Sequence, residues 1–425
     1  MTINKDLAYL YALNSKGIKP GLRRVEAFLD RLGNPQQSLL TIHVAGTNGK
    51  GSTCAIIASV LRSAGYSVGL YTSPHLVTFN ERIRVNDEKI SDADIARFIR
   101  KYRPFIEEID PTFFEVTTAM AFEYFKRQKV DLAVIETGLG GRLDATNVLQ
   151  PLLTIITPIG KDHQEFLGNR LAQIAREKSG IAKDSVTCLV AAQSAYVRKI
   201  LKADIECRLA DYYYAPQLCG VAVEQQFIEG QIVNIQSGDW QLNQVRFNLS
   251  GAYQIINLQT AIAGLRLLNK IMLTPEQVRQ GVERTTWHGR LEVLSRQPLI
   301  LYDVGHNLHG INCVANSLQK ILPDRKFQII LTLGEKKRIV SLGEILSRIT
   351  DRLYISEIPN GKSAPADKVA QEVRHQLAAE RVVVEPSLTK VLQKVVQNLS
   401  SNDSLLILGS HYIAPIVYKF FKINI

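Results

Sequence analysis

The chain has 425 residues, enough for two or three domains that each bury a core. Hydrophobic residues make up 46% and charged residues 21%, ordinary values for a globular protein, and no apolar run is long enough to cross a bilayer. The net charge is +11, but Lys and Arg are spread along the chain with no basic run interleaved with aromatics; anionic small substrates explain the charge as well as nucleic acid would, a merely basic surface is the commonest explanation, and neither nucleic acid nor membrane is expected as a partner.

Residues 1–38 are too short for a domain of their own. The N-terminus, MTINKDLAYLYAL, lacks the basic-then-apolar order of a signal peptide. Cys54, Cys188, Cys207, Cys219 and Cys313 are scattered, which points to a reducing cytoplasm rather than a disulfide framework. Tyr9 to Leu13, and then Val25, Phe28 and Leu29, predict helices packed on a first sheet.

Leu39 to Ala64 organises the chain. Leu39, Leu40, Ile42 and Val44 predict a buried parallel strand. A turn follows through Gly46-Thr47-Asn48-Gly49-Lys50-Gly51-Ser52, and Ile56, Ile57, Val60 and Leu61 then repeat at helical spacing. Strand, glycine-rich loop and helix form a phosphate cradle. Glycines let backbone N–H groups approach an anion, and the helix N-terminus adds partial positive charge. Lys50 is placed for terminal phosphates and Ser52 for Mg²⁺. The general pattern wants glycine where this chain has Val44, and Ser or Thr where it has Gly51.

Ser67 to Tyr71 predicts the next strand. It runs into a polar, cationic loop ending at Arg84, where Pro74 blocks regular continuation. Such loops off strand ends carry ligand contacts in α/β proteins; Ser73 suits a metal, and Arg82 and Arg84 suit carboxylates. Ser91 to Ile109 and Phe114 to Lys129 predict helices, the first capped by Ser91 with Asp94. Val130 to Ile135 predicts a buried strand, followed by Glu136 and the loop Thr137-Gly138-Leu139-Gly140-Gly141-Arg142-Leu143-Asp144-Ala145-Thr146-Asn147. An acid at that position can ligate a nucleotide's Mg²⁺. Leu152 to Thr157 predicts another strand, which brings His163 toward the same sheet edge. Leu171 to Ala182 predicts a helix carrying Glu177 and Lys178, which by themselves read as two solvated charges. Val186 to Ala191 predicts one more strand.

Ile205 to Asn248 changes character: alternating segments and glycine turns predict an antiparallel excursion. Gly251 to Asn269 predicts a helix containing Asn257, and Pro275 begins another that ends before Trp287-His288-Gly289-Arg290-Leu291-Glu292. A linker is expected between Leu291 and Pro298. Beyond it, strand-like runs at 299–303, 328–333, 353–357, 381–384 and 404–408 alternate with helical runs, predicting a compact parallel α/β domain. Asp303-Val304-Gly305-His306-Asn307, Gly334-Glu335-Lys336-Lys337 and Gly409-Ser410-His411-Tyr412 end three of those strands at one edge. The expected domains are therefore 1–292 and 298–425.

The segments HVAGTNGKGS (43–52), TSPHLVTFNERIR (72–84), ETGLGGRLDATN (136–147), DHQEFLG (162–168), REKSGI (176–181), HGRLE (288–292), DVGHN (303–307) and GSHY (409–412) resemble the folylpolyglutamate synthase/dihydrofolate synthase family, the folate branch of the Mur ligases. The resemblance spans nearly the whole chain. It implies an α/β protein: a P-loop ATPase domain with a mainly parallel sheet and an antiparallel excursion, then a smaller Rossmann-like domain. It implies an ATP-dependent ligase that adds L-glutamate to dihydropteroate, to tetrahydrofolate, or to both through an acyl phosphate.

The family's roles carry over where the motifs match. Gly46, Thr47, Asn48, Gly49, Lys50, Gly51, Ser52, Asn257, Arg290 and Asp303 would contact ATP. Ser52, Ser73, Glu136 and His163 would hold Mg²⁺. Lys50, Lys178, His163 and His306 would act in catalysis, with Lys178 carbamoylated. Phe79, Arg82, Thr117 and Ser410 would contact substrate. A monovalent cation and a monomeric state are further expectations. A Mur-type peptidoglycan ligase is the runner-up, but such ligases usually carry a nucleotide-sugar domain before the P-loop, and only about 40 residues precede this one. A non-catalytic P-loop nucleotide-binding protein is the remaining alternative.

Overall fold

A computed structural model of the chain describes residues 3–335, 340–359, 361 and 363–425. Lys336 and Lys337, expected at a strand end, lie outside the described residues.

The first sheet contains β1 (Thr41–Ala45), β2 (Val68–Tyr71), β3 (Ile83–Val85), β4 (Glu88–Lys89), β5 (Leu132–Glu136), β6 (Leu153–Ile156), β7 (Thr187–Val190) and β8 (Asp211–Tyr214). Their order is β4-β3-β2-β5-β1-β6-β7-β8. The run from β2 to β8 is parallel, and β3 and β4 close one edge antiparallel. Every residue of β1, β2, β5 and β6 is buried. That is why these strands read as unbroken apolar runs: helices cover both sheet faces. One face packs under helices Arg23–Arg31, Asp92–Ile109 and Phe113–Gln128, with Phe28, Phe98, Phe122 and Phe125 in that core. The chain leaves β1 toward β2 on one side and later reaches β6 on the other. β1 is thus the switch point, where the carboxyl ends of parallel strands open a ligand crevice.

The elements not anticipated include β3, β4, β8 and helix Ala195–Cys207. β3 and β4 are very short, and β8 (DYYY) alternates intermediate and exposed residues instead of forming an apolar run. Helix Ala195–Cys207 did carry a signal: Ser194 caps it, and Val197, Leu201 and Ile205 line one buried stripe.

Strands β9 (Gly220–Phe227), β10 (Gly230–Ser237) and β11 (Trp240–Phe247) form the expected excursion, in the order β11-β10-β9. Two-residue connections make neighbouring strands antiparallel.

The second large sheet holds β12 (Glu292–Arg296), β13 (Leu299–Asp303), β14 (Phe327–Thr332), β15 (Thr350–Glu357), β16 (Val382–Ser387) and β17 (Ser404–Leu408), ordered β12-β13-β17-β14-β15-β16. Strands β13 to β17 pair parallel, as their alternation with helices predicts. The segment expected as a linker is instead β12, an antiparallel edge strand on β13. Its mixed, half-buried side chains hide it from an apolar-run reading. Contacts group the chain into two units: Met1–Ala222, Asn234–Val245 and Ile256–Thr285 in one, and Val223–Val233, Arg246–Ile255 and Thr286–Ile425 in the other.

Candidate active site

The loop after β1 is built by close packing. Gly46 (φ 149°) lies so near Thr157 that a side chain would collide with its hydroxyl, and Gly49 (φ 86°) is as close to the Asn257 amide. Only glycine fits both the space and the backbone. The Thr47 and Asn48 amides donate to the Pro158 carbonyl at 3.0 and 3.2 Å, and the Thr47 hydroxyl donates to the Gly160 carbonyl at 3.1 Å and accepts from the Gly160 amide at 3.0 Å. These two loop amides therefore serve the β6 end. The first turn of helix Lys50–Ser63 supplies the N–H groups of Lys50, Gly51 and Ser52, which helix geometry leaves without intrahelical acceptors.

Glu136, buried at the end of β5, accepts from the Ser73 amide at 3.1 Å and lies 3.7 Å from Lys50 Nζ. Ser52 is 2% exposed and its Oγ has no protein partner. Among the described residues no group of three or more His, Cys, Asp and Glu side chains gathers as a metal cluster. Mg²⁺ does not require one, because it binds one or two protein oxygens and fills its octahedron with water and substrate phosphates. The orphaned Ser52 hydroxyl and the Glu136 carboxylate fit that demand. His163 is exposed, with φ 49°, at the start of helix Gln164–Leu167.

Lys178 is not a solvated charge. It is 5% exposed, and its ammonium donates to the Gly46 carbonyl at 2.7 Å. Burial, reinforced by the like charge of Lys50, brings its pKa down to about 7. On β1, His43 is fully buried, and burial, reinforced by the charge of Lys183, lowers its pKa to about 3. The Thr146 hydroxyl donates to Asp144, so His43 Nε2 donates to Thr146 Oγ1 at 2.8 Å and the ring is neutral.

The loop from Thr72 to Arg84 folds around Glu81, whose carboxylate accepts the amides of Leu76, Val77 and Thr78 at 2.8, 2.9 and 2.6 Å. Arg82 donates from Nε to His75 Nδ1 at 2.8 Å and lies over the Phe113 ring. Phe79 is 1% exposed and meets Phe113 edge to face; Thr117 is fully buried, hydrogen-bonded to Tyr71 and to the Phe114 carbonyl. Both therefore lie in the core.

In the second unit, Asp303 at the end of β13 accepts from the Leu291 amide, the Gly305 amide and the Tyr253 hydroxyl at 2.9, 2.6 and 3.3 Å. Burial raises its pKa, opposed by Arg290. Glu292 positions the turn that carries Arg290, accepting from the Gly289 amide at 2.7 Å and bonding His288 at 2.8 Å. His306 meets the Val304 carbonyl at 3.0 Å, and Ser410 is buried, its Oγ accepting from the Tyr412 amide at 3.1 Å.

Residues 44–265 match the Mur ligase middle domain, and residues 289–411 match the Mur ligase, glutamate ligase domain. The dihydrofolate synthase/folylpolyglutamate synthase of Bacillus subtilis is 33% identical over 96% of both chains. This chain belongs to the folylpolyglutamate synthase/dihydrofolate synthase family. The family's Escherichia coli member is 27% identical over 97% of this chain and 94% of its own. Mycobacterium tuberculosis folylpolyglutamate synthase complexed with ADP and AMPPCP superposes with a TM-score of 0.90 at 28% identity, covering 100% of both chains. E. coli FolC in complex with DHPP and ADP gives 0.87 at 26% identity, covering 99% of this chain and 98% of that one. The chain is thus an ATP-dependent ligase of the Mur type.

Within this family member, sequence reasoning passed over three groups. Glu81 had a signal, since Thr78 three residues earlier forms a capping box with it. Thr157 had none, because its partner Ala45 lies 112 residues away; Asn147 had only its place in the 136–147 segment, because its bond to Gly180 spans 33 residues.

Proposed function

We propose that this chain joins L-glutamate to dihydropteroate, to a reduced folate, or to both, at the expense of ATP. The observation that carries the reading is the group of Lys50, Glu136 and the unpartnered Ser52 hydroxyl at the switch point, in a chain whose full length follows the folate ligases. Residues 1–292 are read as the nucleotide-binding part and 298–425 as the glutamate-ligase part, in keeping with the two matched domains.

The first-turn amides and Lys50 bind the ATP phosphates and neutralise their charge, which is most of what phosphoryl transfer asks of a protein. Ser52 and Glu136 would hold Mg²⁺, which when bound draws charge from the phosphate oxygens. The pterin-linked carboxylate attacks the γ-phosphorus, ADP leaves, and an acyl phosphate forms. The glutamate amine then attacks the acyl carbon, a tetrahedral intermediate loses phosphate, and the amide remains. Arg82 is suited to a carboxylate, and its guanidinium is held in place by His75 and Phe113. Near neutral pH a large share of Lys178 is the free amine, the form that reacts with CO₂ to give a carbamate and a proton.

Glutamate-dependent ADP release, measured with Mg²⁺ in parallel reactions containing dihydropteroate or tetrahydrofolate, tests this. Release with both identifies a bifunctional enzyme, and release with one assigns the step. Silence with both, while ATP still binds, overturns the reading.

A further inference from the structure

The Gly138–Asn147 loop does more than follow Glu136. Its middle is pressed backbone to backbone against the end of helix Leu171–Ser179, which carries Lys178. A side chain at Gly141 would sit 2.8 Å from the carbonyl oxygens of both Glu177 and Lys178. Reciprocally, one at Gly180 would collide with the Arg142 backbone and Cβ. Neither position tolerates even a methyl group without moving the helix end.

Hydrogen bonds lock this approach. The Arg142 amide donates to the Glu177 carbonyl at 2.7 Å, taking up a carbonyl that the helix end leaves open. The Arg142 guanidinium returns to the Glu177 carboxylate at 2.8 and 3.1 Å. Asn147, 6% exposed, donates from Nδ2 to the carbonyls of both Arg142 and Gly180, at 2.9 and 3.1 Å. Lys183 then donates to the Asn147 carbonyl at 2.8 Å. One amide side chain thus ties the loop to the helix end on either side of the glycine contact. The far side of the loop is fixed to β1, the strand that leads into Gly46, through Asp144, Thr146 and His43. The two elements that meet at the Lys178–Gly46 hydrogen bond are therefore both anchored on this one loop.

We propose that Asn147, with Gly141, Gly180 and the Arg142–Glu177 pair, forms a brace that positions Lys178 against the phosphate loop for ligation. These are positioning residues: they touch the Lys178 helix, not the substrates. The inference rests on the reading of Lys178 as part of the ligation machinery.

The test is a kinetic double-mutant cycle in the full-length protein. Asn147→Ala is expected to lower kcat by about 10-fold or more, because sub-ångström misplacement of a reacting group is costly. KM and Kd for ATP stay within about twofold of wild type, since the Asn147 side chain itself bonds no phosphate-loop residue. In the Lys178→Ala background, Asn147→Ala changes the residual turnover by less than about twofold, because there is no longer an amine to misplace. Gly141→Ala, which pushes the helix end through one methyl group, reproduces the pattern and serves if Asn147→Ala folds poorly. Lys178→Ala inactive with Asn147→Ala and Gly141→Ala at wild-type kcat removes the brace and leaves the Lys178 reading standing. Full losses that multiply in the double variant also overturn it, since the loop would then act independently of Lys178. Lys178→Ala with wild-type turnover removes the Lys178 reading itself, and the brace with it.

Discussion

Lys178 couples stability to pH in a direction set by its burial. Its folded pKa of about 7 lies well below the ordinary lysine value of 10.5. Below about pH 7 it is charged in both states, and the burial penalty is present in full. Between there and the unfolded value, the unfolded chain holds a proton that the folded chain lacks, so stability rises with pH. In CO₂-depleted buffer, urea unfolding of wild type should gain up to about 1.4 kcal/mol per pH unit from this residue over that window. Lys178→Met should be more stable at pH 7 and lose that part of the slope. Ser52 makes a different prediction. Its hydroxyl has no protein partner to lose, so Ser52→Ala should fold normally. It should raise the Mg²⁺ concentration for half-maximal ADP release by about 10-fold, as removal of groups around a metal typically does. A variant that titrates like wild type would take Ser52 out of the metal site.

Among the elements, the Thr72 to Arg84 loop depends on one carboxylate. Glu81→Ala leaves three part-buried loop amides without their acceptor and should destabilise the loop by ~1–3 kcal/mol. Hydrogen exchange should accelerate first at Leu76, Val77 and Thr78, while β5 and β1 keep their protection. Gly49→Ala attacks the phosphate loop from the other side. Strain at φ 86° and the clash with Asn257 should abolish detectable ATP binding in calorimetry while thermal unfolding remains cooperative. The elements also show where the sequence was readable. β1, β5, β6 and β13 are wholly buried and announce themselves as apolar runs. β8 and β12 are edge strands whose half-exposed side chains leave no such run, so pairing alone makes them strands.

For the whole molecule, a ligand that binds only the folded chain must stabilise it. A non-hydrolysable ATP analogue with Mg²⁺ at 100 times its Kd should add about 2.7 kcal/mol, and the gain should shrink when Mg²⁺ is withheld. Protection in hydrogen exchange should concentrate on residues 46–53. No change on adding the analogue would mean the cradle does not bind nucleotide.

The phosphate loop, the acid at the end of β5, the parallel character of both large sheets and the family itself could all be read from residues close together in the chain. Each depends on local spacing: glycine next to Lys50, apolar runs bounded by turns, motifs in order. What the tertiary structure alone decided is which charges are buried. Glu177 and Lys178 are neighbours in sequence, yet Glu177 pairs with Arg142 near the surface while Lys178 reaches the Gly46 carbonyl in the interior. Helix geometry points adjacent side chains in different directions, and only the loop packed on that helix determines which of them loses its water.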